Sequence, residues 1–452
     1  MKPMLMFVAL VISAAGSAQE PEPDGLAAGP MVGYSTMGEV AVWAQTRRGA
    51  SVQLRYWPQS DPDQAMLSRT RLSFAETGFT VQLTATGLDP GTRYGYEVLV
   101  DGRPVARAYP LEFVTQPLWQ WRGDPPPFRF ALGSCNFVNQ PEVDRPGGPY
   151  GNNHHIFHSV YEANPDFMLW LGDNTYLREV DWNSRSGIYR RYSHDRALPE
   201  LQPLLGSVHH YAAWDDHDYG PNDADRSYWL KQVTREAFMD FWANPNYDVT
   251  GTGGITGTFN WNDAQIFLLD NRWFRSNNDR VSGTRQVFGP AQVQWLLDAL
   301  KYSKATFKFV ATSTPFLFDH MEGENHILIA PEERSELIAA ITAEKIPGVI
   351  FLSGDLHYSQ FVEVQRPDAY PLYEWTVSSL TAGISSPPDP AGLNVVPGSV
   401  VTAHNFGLVD ITGPRDNRVA RLKIVDHRGK TRWERTIRAA ELCRPAACEL
   451  GY

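Results

Sequence analysis

Apolar and polar residues alternate in short runs from about Met31 to Thr115, with turn residues between the runs. Glu39–Gln45 reads Glu-Val-Ala-Val-Trp-Ala-Gln, the period of a strand with one face on a core. Ser51–Trp57, Phe79–Ala85, Tyr94–Val100 and Leu111–Thr115 repeat it. The period changes at Phe128. Continuous apolar runs at Phe128–Leu132, Asp166–Leu171, Tyr211–Trp214, Gln265–Leu269, Thr306–Ala311 and Gly348–Leu352 read as buried strands, and they alternate with helical stretches. Helices are expected over Asn153–Asn164, with an Asn cap and a stop at Pro165, and over Ser227–Trp242, with Trp229, Val233, Phe238 and Phe241 on its apolar face. Two more, Pro290–Tyr302 and Pro331–Glu344, open with Pro at the first helical position. Three further strands, Phe406–Ile411, Ala420–Asp426 and Thr431–Ile437, follow about Val400.

These patterns divide the chain. Residues 1–18 read as an export signal: Lys2, an apolar stretch from Met4 to Ala15, and a small-x-small site at Gly16-Ser17-Ala18. Residues 19–30 read as a flexible Pro/Glu/Gly/Ala-rich lead-in to an all-β sandwich over 19–118. Trp119–Pro127, with three consecutive prolines, is the linker to an α/β domain over 128–452. A length of 452 residues supports two cores. The hydrophobic share of 42% and charged share of 20% are those of a folded protein. A net charge of −11 with scattered basic residues argues against a nucleic-acid surface or an anionic-membrane anchor, and nothing after the signal is long enough to span a bilayer. An anionic substrate would then have to be drawn by local positive charge such as bound cations. Export to a secreted or periplasmic location makes the three cysteines informative. Cys443 and Cys448 are spaced for a small disulfide loop. Cys135 is left over, either as core filler or as a thiol protected by a metal.

Four apolar strands end in a short turn bearing a metal-competent group: Cys135; Asp173 with Tyr176; Asp216 with His217; Asp355 with His357. Strand C-termini share one edge of an α/β sheet, where such folds build sites. The densest turn is Trp214-Asp215-Asp216-His217-Asp218-Tyr219-Gly220-Pro221-Asn222-Asp223. Its carboxylates repel one another unless a cation or water lies among them. Because side chains alternate along a strand, Asp215 and Asp216 should not both reach one metal. His154, His155, His158, His194, His209, His210, Asp270 and Arg272 have no fixed partner in the pattern and are expected at exposed or capping positions.

Taken together, Ser134-Cys135, Gly172-Asp173-x-x-Tyr176, Trp214-Asp215-Asp216-His217-Asp218 and Ser353-Gly354-Asp355-x-His357 resemble the PhoD-type alkaline phosphatases. These are relatives of the purple acid phosphatases among the calcineurin-like metallophosphoesterases. The resemblance covers about Phe128 to Ser385. The Asp89-Pro90-Gly91 turn before Tyr94 is similar to a corner of immunoglobulin-like and fibronectin type III sandwiches, and the N-terminal segment to the family's accessory domain. The resemblance implies a four-layer α/β/β/α metallophosphatase domain. It places Cys135, Asp173, Tyr176 and His357 on iron(III), with Asp173 bridging to a second metal that Asp216 and Asp355 also hold. His217 would face the phosphate, and Asp218 could orient its ring. The wider superfamily has Asn at Asp216, His at Asp355 and a further His where this chain has Val310-Ala311-Thr312-Ser313. That departure leaves oxygen ligands on the second metal and favours calcium.

Asn174 and Asn222 could add an oxygen ligand or a phosphate contact, or be turn residues. Arg178 could pair with a phosphate or form a surface ion pair. The loops Val180–Ser193 and Asn277–Val287 would set specificity. The activity implied is hydrolysis of phosphate monoesters, diesters or both. The rival is a non-enzymatic, calcium-stabilised exported protein that binds glycan or cell-wall polymer.

Overall fold

Alternate residues of one short strand enter two different cores, which shows how the sheets are stacked. The computed structural model describes residues 25–443. In the strand Phe167–Leu171, Phe167, Leu169 and Leu171 join an apolar core shared with a second sheet, while Met168 and Trp170 join one shared with helices. Both faces of the strand are covered, which explains its unbroken apolar run.

The larger sheet has nine strands. From one edge they run Thr431–Arg438, Val419–Asp426, Asn405–Thr412, Phe128–Gly133, Phe167–Leu171, His209–Ala213, Leu26–Ser35, Glu39–Thr46 and Thr80–Thr86. The facing sheet has six, in the order Gly257–Trp261, Ala264–Leu268, Phe307–Ser313, Val349–Ser353, Leu372–Thr376 and Gln360–Val364. Phe130, Leu169, Phe309 and Leu352 lie in the core common to the two sheets. Leu296 and Leu300 of helix Pro290–Tyr302 and Leu337 and Ile341 of helix Pro331–Ala343 pack into the same cluster. Ile156, Ile188, Leu204 and Phe238, from four other helices, pack with Trp170.

The N-terminal segment is β-rich, as its alternation predicts. A third sheet built on Ser51–Pro58 and Arg93–Val100 closes a separate core with Val42, Leu54, Leu83 and Val98. At its corner the backbone N–H of Asp89 donates to Tyr94 Oη (2.9 Å). This segment is nonetheless continuous with the rest. Leu26–Ser35 runs parallel to His209–Ala213, with Val32 opposite His209. His209 Nδ1–H donates to Gly33 O (2.7 Å) and its Nε2 accepts Val114 N–H (3.2 Å). Ser35 N–H donates to Tyr211 Oη (3.0 Å), and Tyr96 Oη–H to Gly206 O (2.8 Å).

Several expectations need correction. The strand Leu26–Ser35 begins inside the stretch read as a flexible lead-in. The first helix of the α/β region is Ile156–Glu162, and Asn153, at φ 55°, lies outside it and does not cap it. The helix expected over Ser227–Trp242 is Lys231–Phe241; Trp229 precedes it and is 69% exposed. The expected loop Val180–Ser193 contains most of helix Arg185–Arg196, capped by Ser184 Oγ. The signal segment, and the pairing of Cys443 with Cys448, involve residues outside those described. Among the described residues no helix is long and apolar enough to cross a membrane.

Candidate metal centre

Strand register brings the chemistry to one edge. Gly133 pairs with Trp170 and Leu171 with Ala213, so these neighbouring parallel strands end together. Val349–Ser353 ends opposite them on the facing sheet, where Gly354 lies against Ser134 and Leu171. The chain then turns abruptly. Cys135 (φ 62°), Asp173 (51°), Asp355 (68°) and His357 (59°) all adopt left-handed backbone. Asp and His tolerate this conformation better than most side chains; for Cys135 it is unfavourable, and such strain collects at functional sites. Gly172 (φ 93°) is closely packed as well: a Cβ there would come within 2.8 Å of Asp215 Cβ.

The turns converge. Ligand atoms of Cys135, Asp173 and His357 lie within 4.8 Å of one another, as do those of Asp173, Asp216 and His217. Tyr176 Oη is 3.1 Å from Asp173 Oδ2 and 3.1 Å from His357 Nε2, and Cys135 Sγ is 3.8 Å from Asp173 Oδ2. Asp173 therefore belongs to both groups. Asp355 is half-buried and outside both; its carboxyl is pushed well above the usual range by burial, then by the charges of Asp215, Glu324 and Asp216. The His217 ring lies against Tyr176, tilted by 32° (centroids 4.2 Å apart), with Nε2 3.9 Å from Asp216 Oδ2. A cleft of about 350 Å³ opens beside this edge, walled by Phe137, Tyr150, Tyr176, Trp182, His217 and Asn222.

A third acidic group, Asp215, Asp216 and Glu324, already contains a guanidinium. Arg272 Nε donates to Asp215 Oδ1 (2.5 Å), its NH2 bonds Glu324, and NH2 lies 3.8 Å from Asp216 Oδ1. Asp215 also accepts Asn271 Nδ2–H (2.7 Å) and Asp216 N–H (2.9 Å), capping the short helix Asp216–Tyr219. Asp215 is thus a bracket behind Asp216. Asp270 and Arg272, expected at exposed or capping positions, are fully buried, and His209 and His210 are buried too. Sequence reasoning missed Glu324 and Tyr150 entirely. The run Asp270-Asn271-Arg272, just beyond the strand Ala264–Leu268, carried the same strand-end signal as the other turns.

Three further expectations change. Asp218 does not stand behind the His217 ring. Its carboxylate accepts the backbone N–H groups of Asp215 (3.0 Å), Asn174 (3.0 Å) and Thr175 (3.2 Å), tying two ligand turns together. Arg178 is neither a surface ion pair nor free for phosphate. It is buried, pairs with Asp144 (2.9 Å), donates to the carbonyls of Tyr176 and Val138 (2.7 Å for the latter), and lies over the Phe137 ring. It props the Tyr176 turn. Asn174 donates Nδ2–H to Ala213 O (2.7 Å), holding two strand ends together, while its Oδ1 is buried without a hydrogen-bond partner among the described residues. Asn222 lines the cleft.

The donor set suits bound cations. Burial pushes the Cys135 thiol up to about 12, and burial followed by the Asp173 charge pushes the Tyr176 phenol well above its ordinary value. Asp173 is raised by burial, then by Asp216 and Cys135. Ionising these groups side by side requires positive charge among them; the Arg272 guanidinium is engaged by Asp215 and Glu324, and that of Arg178 by Asp144 and two carbonyls. His217 Nδ1 is buried without a hydrogen-bond partner among the described residues.

Two facing sheets with metal-competent turns gathered at one edge are the fold of the metallophosphoesterases. The model of the PhoD-like phosphatase family matches residues 130–408, more than half of the chain, so this protein belongs to the PhoD-like phosphatases, which are metal-dependent phosphoesterases. A family described as a domain of unknown function, DUF7800, matches residues 23–117. Among solved structures, "Structure of PhoD" superimposes with a TM-score of 0.73 at 16% identity, covering 93% of this chain and 90% of that one. Purple acid phosphatase PPD1 from yellow lupin (Lupinus luteus) superimposes with a TM-score of 0.66 at 12% identity, covering 90% of this chain and 74% of that one. No curated protein matches the sequence.

Proposed function

We propose that the protein is an exported phosphoric ester hydrolase, acting on monoesters, diesters or both at an iron(III)–calcium centre. The observation carrying this reading is the convergence of a thiol, a phenol, an imidazole and a shared carboxylate beside His217 at the mouth of the cleft. Cys135, Asp173, Tyr176 and His357 would hold iron. Asp173, Asp216 and Asp355 would hold calcium, a hard cation suited to an all-oxygen set. When bound, the cations neutralise the phosphoryl oxygens and acidify the attacking water.

The chain's own residues do the rest. His217 lines the cleft and touches Asp216, which places its imidazole to hold a proton at Nε2 and pass it to the leaving oxygen. Asp215, with Arg272 and Asn271 on its carboxylate, fixes the first turn of the helix that presents both Asp216 and His217. Phe137, Tyr150 and Trp182 supply an apolar wall for the ester's organic group.

We read the architecture as four layers, α/β/β/α, with an immunoglobulin- or fibronectin-like module over 19–118 and the phosphatase domain over 128–452. The stacking of the helices and sheets supports this. The tests are direct. Metal-replete protein should hydrolyse members of a panel of monoesters and diesters, and Asp216→Ala should abolish turnover while the protein still folds. A protein that bound polymer and hydrolysed no ester would overturn the reading. Tyr176→Phe should remove a visible tyrosinate-to-iron charge-transfer band, and metal analysis should find iron and calcium. Near-stoichiometric zinc with neither would defeat the ligand assignment. Mature protein from the exported fraction should begin near Gln19.

A further inference from the structure

Two hydroxyls flank the Cys135 sulfur, and they are not equivalent. Ser134 Oγ is 3.3 Å from Sγ, but its proton goes to Val377 O at 3.0 Å. Ser378 Oγ is 3.1 Å from Sγ, and its oxygen accepts the backbone N–H of His357 at 3.0 Å. No carbonyl or carboxylate takes the Ser378 proton among the described residues, which leaves the sulfur as its acceptor. The side chain is fully buried. Its backbone is held on both sides: Ser378 N–H donates to Ser359 Oγ (3.0 Å), whose own proton goes to Asn405 Oδ1 (2.7 Å), while Ser378 O accepts Asn405 Nδ2–H (3.0 Å). The hydroxyl is therefore held in place, with one contact to each of two ligand residues.

We propose that Ser378 is a positioning residue that couples Cys135 to His357 and sets the reduction potential of the metal bound there. This rests on the assignment of both residues to iron(III). A hydrogen bond to a thiolate draws electron density from sulfur and weakens its donation to the metal. The ferric state is then stabilised less than the ferrous one, and the potential rises. The same hydroxyl holds the backbone N–H of His357, a residue in left-handed conformation, so the backbone that presents the imidazole is tied to the group bonded to sulfur.

The test uses iron-loaded, full-length wild type, Ser378→Ala and Ser134→Ala. Ser378→Ala should keep its iron, show a lower reduction potential, and move the tyrosinate charge-transfer band to higher energy. Ser134→Ala, whose proton is committed elsewhere, should leave both near the wild-type values. Wild type without iron, or without the band, overturns the iron assignment. Wild type with both, combined with a Ser378→Ala potential and band that do not move, or that Ser134→Ala moves equally, overturns the role of Ser378 alone. If Ser378→Ala sheds its iron, wild type folded in D2O replaces it. The iron–sulfur stretch should then shift on deuteration of the bonded hydroxyl, and an unshifted stretch overturns the proposal.

Discussion

His209 offers a test of how the N-terminal strands are held. Its ring is fully buried, donating from Nδ1 to Gly33 O and accepting Val114 N–H at Nε2. Only the neutral tautomer makes both bonds. Protonation at Nε2 would set two N–H groups against each other, and burial lowers the pKa to about 4. The unfolded chain takes up a proton near pH 6.5 and the folded chain does not. Stability is therefore fully present above pH 6.5 and is lost as pH falls toward 4, below which both states are protonated. A gap of about 2.5 units at 1.36 kcal/mol each amounts to about 3 kcal/mol. Gln at this position retains a donor and an acceptor but does not titrate. Urea midpoints measured from pH 7.5 to 4 should fall for both proteins, because metal release and His210 also respond to acid. The unfolding free energy from those titrations should fall further for the wild type than for His209→Gln, by about 3 kcal/mol. Parallel curves for the two proteins would refute the argument.

Other outcomes follow from the same contacts. Arg178→Ala strips the partners from Asp144 and two carbonyls and should lower stability by about 3–5 kcal/mol in denaturant titrations; a phosphate-binding Arg178 would instead raise KM and leave stability alone. Asp218→Asn weakens three backbone contacts and should cost about 1–3 kcal/mol. The pH–rate limb assigned to His217 should stay in place, and its displacement would restore Asp218 to the role of ring orienter. Treatment with a calcium-selective chelator should remove turnover while the iron charge-transfer band persists, with activity returning on addition of calcium. Loss of the band would show that the two metals are not separable in this way.

The strand ends were legible because each combines an unbroken apolar run with a short turn bearing one or two metal-competent groups, and three of the four turns are led by Gly or Ser. Cys135, Asp173 and His357 converge, and Asp216 joins them through Asp173. What was hidden depends on partners far apart in the chain. Arg272 reads as a surface charge until Asp215 and Glu324, 57 and 52 residues away, close on it. Asp218 sits beside His217 in sequence, but backbone N–H groups of two turns claim its carboxylate first. Helix Arg185–Arg196 has no apolar stripe to betray it; buried Arg191 is paired with Asp181. Leu26–Ser35 is disguised by Gly29 and Pro30 in its middle, where the register shifts.

The order of strands in the nine-stranded sheet also bears on how the protein folds. The centre's own strands, Phe128–Gly133, Phe167–Leu171 and His209–Ala213, are flanked by Leu26–Ser35 on one side and Asn405–Thr412 on the other. Both flanking pairings join segments far apart in the chain, and such topologies fold slowly. During synthesis at about 5–20 residues per second, Leu26–Ser35 waits on the order of ten seconds or more for its partner, and Phe128–Gly133 waits longer for Asn405–Thr412. Until then Leu26–Ser35 and the strand that carries Cys135 have raw, unpaired edges. Covering those edges over that interval should raise the yield of active protein.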